Sequence, residues 1–187
     1  HDVVEDDTVV SVTEDGLVTG LKLGETTITA SVEYEGATYS KTIEISVVDF
    51  VKDELTLDKL GVEAKTVYKD FANIQDQSNA KYSGNCAGGS GTIQIRSKTD
   101  KGYSGVYSST SGGKILSVTL NFADIDTNSH SVKIVASNEP FTSTQDLYSA
   151  EVITEVYNET GSVTYEFTED YAYVGVISGG GAHYFDS

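Results

Sequence analysis

The chain has 187 residues, 38% of them hydrophobic and 10% aromatic, which excludes wholesale disorder and leaves room for one large or two small apolar cores. Twenty-nine acidic residues against 12 Lys plus Arg give a formal charge of -17, with Arg96 the only arginine, so neither nucleic acid nor an anionic membrane surface fits as a partner. Eighteen Gly against one Pro, with 12 Tyr, favour strands joined by tight turns; the single cysteine, Cys86, excludes an intrachain disulfide.

From the N-terminus onward the pattern is alternation with period two, which points successive side chains to opposite faces of a strand. Ile28, Ala30 and Val32 alternate with Thr27, Thr29 and Ser31, and Ile43, Ile45 and Val47 alternate with Thr42, Glu44 and Ser46. Next, Val67, Phe71 and Ile74 have the i, i+4, i+7 spacing of a helix, but the Asp, Asn, Gln and Ser around them favour a long loop pinned to the core by Phe71. Alternation resumes at Ile93 and Ile95, then at Leu116, Val118, Leu120 and Phe122, and at Val132 and Ile134. Val163, Tyr165 and Phe167 follow, then Val174 and Val176. Turn clusters punctuate these runs at Glu14–Gly16, Tyr34–Gly36, Ser111–Gly113 and Ser178–Gly181. Half-buried strands of this kind predict antiparallel sheets stacked as a sandwich, an all-β chain.

The stretch VVSVTEDGLVTGLKLGETTITASV, followed by TIEISVVD, resembles the C-terminal part of a bacterial Ig-like domain of group 2. The resemblance implies a hairpin at Asp15 and Gly16, a short strand through Val18, a turn near Gly24 and a half-buried Thr/Ile strand. An Ig sandwich of the antibody type needs about 100 residues, so residues 1–49 are expected to be a truncated one. From about residue 50 the chain resembles a jelly-roll-like β-module of bacterial surface proteins and lipoproteins, on DELTLDKLGV, on KYSGNCAGGSGTIQIRS with STSGGKILSVTLNF, and on the closing YAYVGVISGGGAHYFDS. Two modules are therefore expected, 1–49 and 50–187. Their types imply a secreted or cell-surface location, and no stretch approaches the roughly 18 apolar residues of a membrane span.

The segment Gly84, Asn85, Cys86, Ala87, Gly88 matches G-x-S-x-G with cysteine as nucleophile, yet a nucleophile elbow needs a strand before it and a helix after it, and here a strand-like TIQIRS follows. A base would have to come from His1, His130 or His183, read as a terminus or surface turns. Asp124, Asp126 and Asn128 begin like an EF-hand loop, but Ser129 replaces the turn glycine and Val135 the closing glutamate, so these residues read as a turn. Pairs of carboxylates abound, and solvated faces account for them without a glycosidase cleft.

No enzyme, no metal and no cofactor is expected. The expected role is non-catalytic adhesion or carbohydrate binding, with a glycan or a surface protein as ligand and the segment monomeric; the alternatives are a structural spacer or the accessory region of a larger extracellular hydrolase. Sugars are held by aromatic faces and planar polar side chains. Gln94 and Arg96 share the face opposite Ile93 and Ile95, and Tyr103 and Tyr107 follow in a Gly/Ser loop, so these four are the candidate ligand-binding residues, against the alternative that the tyrosines cover the core.

Overall fold

The computed structural model describes residues 2–97, 102–124, 130–157 and 161–187. It divides into two compact units, His1–Val51 and Lys52–Ser187.

In the first unit, β1 (Asp2–Val4), β4 (Gly24–Tyr34) and β5 (Ala37–Val47) form one sheet in the order β1-β4-β5, and β2 (Val10–Val12) pairs with β3 (Val18–Gly20). β4 and β5 run in unbroken register from Gly24↔Val47 to Tyr34↔Ala37. Glu35 and Gly36, both at positive φ, make the two-residue turn whose twist suits such a hairpin. Val9, Val10 and Ile28 are the buried core, with Val4, Val12, Ile45 and Val47 against them. Val32, Tyr39 and Ile43 alternate just as regularly but remain exposed.

The second unit holds β6 (Lys69–Ile74), β7 (Lys81–Cys86), β8 (Ile93–Arg96), β9 (Gly105–Thr110), β10 (Ser117–Asn121), β11 (Val132–Ser137), the helix α1 (Thr144–Leu147), β12 (Val152–Val156), β13 (Ser162–Glu166), β14 (Tyr173–Ser178) and β15 (Ala182–Phe185). Six strands form one antiparallel sheet in the order β12-β11-β14-β9-β7-β6. A second layer is built from the pairs β10–β13 and β15–β8. The Phe122↔Phe185 bridge and the bond from Asp186 N–H to the Asn121 carbonyl (2.8 Å) join those pairs, and the Ala87↔Gln94 bridge ties the layer to the end of β7.

Between the layers lie Leu60, Cys86, Ile93, Ile95, Leu120, Phe122, Val132 and Ile134 with their neighbours, so the chain is an antiparallel β-sandwich here. The far face of the large sheet has its own cluster of Tyr107, Val135, Phe141, Leu147 and Ile177. α1 delivers Leu147 to it, fixed by a capping box in which Ser143 and Asp146 satisfy each other's backbone N–H. Gly175 lets Leu147 approach: a Cβ there would lie 2.5 Å from Leu147 Cδ2.

Residues 69–74 correct the sequence reading. They are neither helix nor loop but the edge strand β6, with Phe71 buried. Asn73 takes a left-handed φ of 58° where the register slips between Phe71 and Ile74, so a bulge breaks the alternation that would have revealed the strand.

Candidate functional site

β8 places Ile93 and Ile95 in the core and turns Gln94 and Arg96 to the other face. Antiparallel pairing with β15 sets Tyr184 opposite Gln94 and Ala182 opposite Arg96, and Gln94 Nε2 donates to the Tyr184 hydroxyl at 3.2 Å. On the other side Gln94 opposes Ala87. Tyr68 immediately precedes β6, and Arg96, Tyr184 and Cys86 lie close enough to act on its hydroxyl. Ala87, Gln94 and Tyr184 thus form a cross-strand row, with Arg96 flanking it.

The Tyr68 hydroxyl is buried and has no hydrogen-bond partner among the described residues. Burial raises its pKa, the Arg96 guanidinium opposes that rise, and Tyr184 and Cys86 add to it. An unpaired buried phenol is costly, roughly 1–3 kcal/mol, unless something supplies the missing bond. Arg96 has no ion pair among the described residues, so no carboxylate there competes for its donors.

The loop with Tyr103 returns to this strand end, since Arg96 N–H donates to Ser104 Oγ at 3.0 Å. The Tyr103 ring lies against Tyr148 with centroids 4.7 Å apart, and the Tyr148 hydroxyl donates to the Ser104 carbonyl at 2.8 Å. Tyr107 lies elsewhere. It is 8% exposed on β9, packed edge-on to Phe141 in the cluster under α1, and is a core residue. Three of the four candidate residues therefore gather near β8. Tyr184, which completes the row, carries no local signal, because the pairing that brings it beside Gln94 spans 90 residues of sequence.

The segment Gly84 to Gly88 has a packing explanation. Gly84 and Cys86 belong to β7 rather than to a strand-to-helix turn, and burial pushes the Cys86 thiol up to about 12. A Cβ at Gly84 would strike the Gly105 carbonyl, and one at Gly88 the Glu63 carbonyl, so both glycines allow close backbone approach. His183 is no surface-turn residue either: it sits buried on β15, its Nε2 2.9 Å from the Gly180 carbonyl oxygen. Asp126 and Asn128 of the D-x-D-x-N stretch lie outside the described residues. Among the described residues no group of three His, Cys, Asp or Glu is placed to share a metal ion, and no helix is long and apolar enough to cross a membrane.

Residues 3–43 match the bacterial Ig-like domain, group 2. No curated protein matches the chain. Among solved structures, the chain is similar to the CBM51-2 and INT domains of Clostridium perfringens ZmpB, at 14% identity and a TM-score of 0.32, covering 96% of this chain and 40% of that one. It is likewise similar to CBM51-2 in complex with GlcNAc and INT domains of the same protein, at 13% identity and a TM-score of 0.31, covering 99% of this chain and 39% of that one. The chain thus spans about two fifths of the length of these structures.

Proposed function

We propose that the chain is a non-catalytic segment of a secreted or cell-surface bacterial protein, in which an Ig-like unit at 1–49 precedes a jelly-roll-like unit at 50–187 that binds a glycan on the β8–β15 face. The observation that carries this reading is the cross-strand pair of Gln94 and Tyr184 beside Arg96 and the buried Tyr68 hydroxyl; among the described residues that hydroxyl has no hydrogen-bond partner and the Arg96 guanidinium has no ion pair. Guanidinium, amide and phenol together supply donors and acceptors for sugar hydroxyls, and the tyrosine rings supply flat apolar faces.

A glycan array followed by calorimetry on the intact chain tests it. Arg96→Ala and Tyr184→Ala should each cost about 1–3 kcal/mol of affinity for any glycan captured, with Tyr103→Ala smaller, while the melting temperature barely moves. A captured glycan whose affinity is unchanged in both variants overturns the site, and an empty array favours the spacer reading.

A further inference from the structure

At the end of β8 the backbone is fastened while the side chain is left unclaimed. Arg96 N–H donates to Ser104 Oγ at 3.0 Å, and the Tyr148 hydroxyl donates toward both the Arg96 carbonyl (3.2 Å) and the Ser104 carbonyl (2.8 Å). The Tyr103 ring packs on Tyr148 with centroids 4.7 Å apart. These contacts fix where the Arg96 side chain starts. Opposite it on β15 stands Ala182, too short to cover a guanidinium and without a charge to pair it. Arg96 is exposed, and among the described residues it has no ion pair, although the chain carries 29 acidic residues and no other arginine.

The tyrosines around Arg96 also differ from those elsewhere in the second unit. Burial comes first in raising the pKa of Tyr82, Tyr107 and Tyr171, and carboxylates add to it: Asp53 and Asp76 at Tyr82, Asp146 and Asp70 at Tyr107, Glu169 and Glu151 at Tyr171. Burial comes first at Tyr68 and Tyr148 as well. The groups acting beside it there are Arg96, Tyr184 and Cys86 on Tyr68, and the Ser178 backbone, Tyr68 and Tyr103 on Tyr148, with no Asp or Glu among them. Asp70, the acidic residue of β6, is taken up by Asn85 Nδ2 at 2.6 Å. Exposed carboxylates farther off than about 8 Å are largely screened at physiological salt, so the overall charge of -17 does not decide what this strand end attracts.

The hydrogen-bonding groups here are biased toward donating. A guanidinium has donors only. The Tyr184 hydroxyl accepts from Gln94 Nε2 at 3.2 Å, so its own proton is left for a further acceptor. Arg96 and Tyr184 are diagonal cross-strand neighbours on one face, a separation of roughly 7–8 Å that long side chains bridge. A neutral sugar hydroxyl brings a donor with every acceptor, whereas a carboxylate brings acceptors alone, and its two oxygens match the planar fork of an arginine. We propose that the glycan bound on the β8–β15 face is an acidic sugar, its carboxylate on the Arg96 guanidinium and the Tyr184 hydroxyl donating beside it, which rests on the glycan-binding reading of this face. Uronic acids and sialic acids both offer this chemistry.

The experiment is an NMR titration of the intact chain, at about 0.15 M salt, with methyl glucuronide and the methyl glycoside of N-acetylneuraminic acid, each beside its uncharged methyl ester, and with N-acetyl-glutamate methylamide as a carboxylate that carries no sugar. Saturable shifts at Gln94, Arg96 and Tyr184 are expected for a sugar acid, at least about tenfold tighter than for its ester or for the glutamate amide. Preference for the glucuronide identifies a uronic acid as the source, and preference for the sialoside a sialic acid. Arg96→Gln should bring acid and ester within about twofold of each other, and Arg96→Lys, which keeps the charge and loses the fork, should retain part of the preference, both with unchanged melting curves. The acidic sugar is overturned, and glycan binding stands, if the esters bind as tightly as the acids, if Arg96→Gln keeps the preference, or if a glycan array yields neutral sugars alone. Equal binding of the glutamate amide overturns it in favour of an acidic protein segment. If no sugar saturates in the titration or is captured on the array, the acidic sugar and the glycan-binding reading fall together.

Discussion

Ile43 of the first unit and Ile134 of the second occupy the same kind of position, an isoleucine in an alternating strand, and they meet opposite fates. Ile134 is 1% exposed between two layers, whereas Ile43 is 47% exposed although its cross-strand partner Ile28 is buried. Alternation states which side chains share a face. Whether that face is covered depends on a second layer, and the second unit supplies one while β5 of the first unit projects most of its length beyond its small core.

The largest effect should break this contrast most clearly. Ile134→Ala should destabilise the second unit by about 2–5 kcal/mol, the range for a large-to-small change in a packed core, while Ile43→Ala should stay within about 0.5 kcal/mol. Urea unfolding followed by circular dichroism measures both. Equal losses in the two variants would mean that the Ile43 face is covered in solution.

A smaller effect concerns how the second unit fastens its first residues. Asp53 accepts four hydrogen bonds, from Gln77 N–H (2.9 Å), Ser78 N–H (2.7 Å), Ser78 Oγ (2.5 Å) and the Tyr82 hydroxyl (2.7 Å). Burial pushes its pKa up, but these bonds outweigh burial and hold the carboxyl below its ordinary 3.8. A depressed folded-state pKa contributes stability that is fully present above the unfolded value and is lost as pH falls through the folded one. Asp53→Asn should therefore cost about 1–3 kcal/mol near neutrality. Below pH 3.8 the gap between variant and parent should narrow, as melting curves across that range would record. A gap that stays constant with pH would show that the charge of Asp53 is not what fastens the segment.

Much of this fold was legible in the sequence. The β4–β5 hairpin follows from the Thr/Ile alternation and the Glu35–Gly36 turn, and Gln94 and Arg96 share a face as their spacing requires. β6 was not legible, because a bulge at Asn73 disrupts its period. The burial of Tyr107 was not legible for a different reason: its Gly/Ser surroundings look like a surface loop, yet Gly105, Ser108 and Ser109 belong to β9, and α1 with Phe141 covers the face to which Tyr107 points. Sequence spacing also could not supply Tyr184, since its place beside Gln94 arises from a strand pairing 90 residues apart.

The smallest effect is expected at Cys86. The residue is 0% exposed in the interlayer core, and burial pushes its thiol up to about 12. At pH 7 the thiolate fraction of such a group is on the order of one in a hundred thousand, and the thiolate is the species that reacts. A disulfide reagent should therefore leave the native chain unlabelled over hours and modify it at once in denaturant. The sequence alone favours a Cys86→Ser protein that behaves like its parent; burial alters that expectation, because a serine hydroxyl would lose water without a designed partner in an apolar cluster. Cys86→Ala keeps the site apolar and removes one atom, so it should be the milder variant. Rapid native labelling, or a rate that follows the titration of a histidine, would show a thiol activated by its surroundings, and Cys86 would then have to be treated as a reactive group rather than as core.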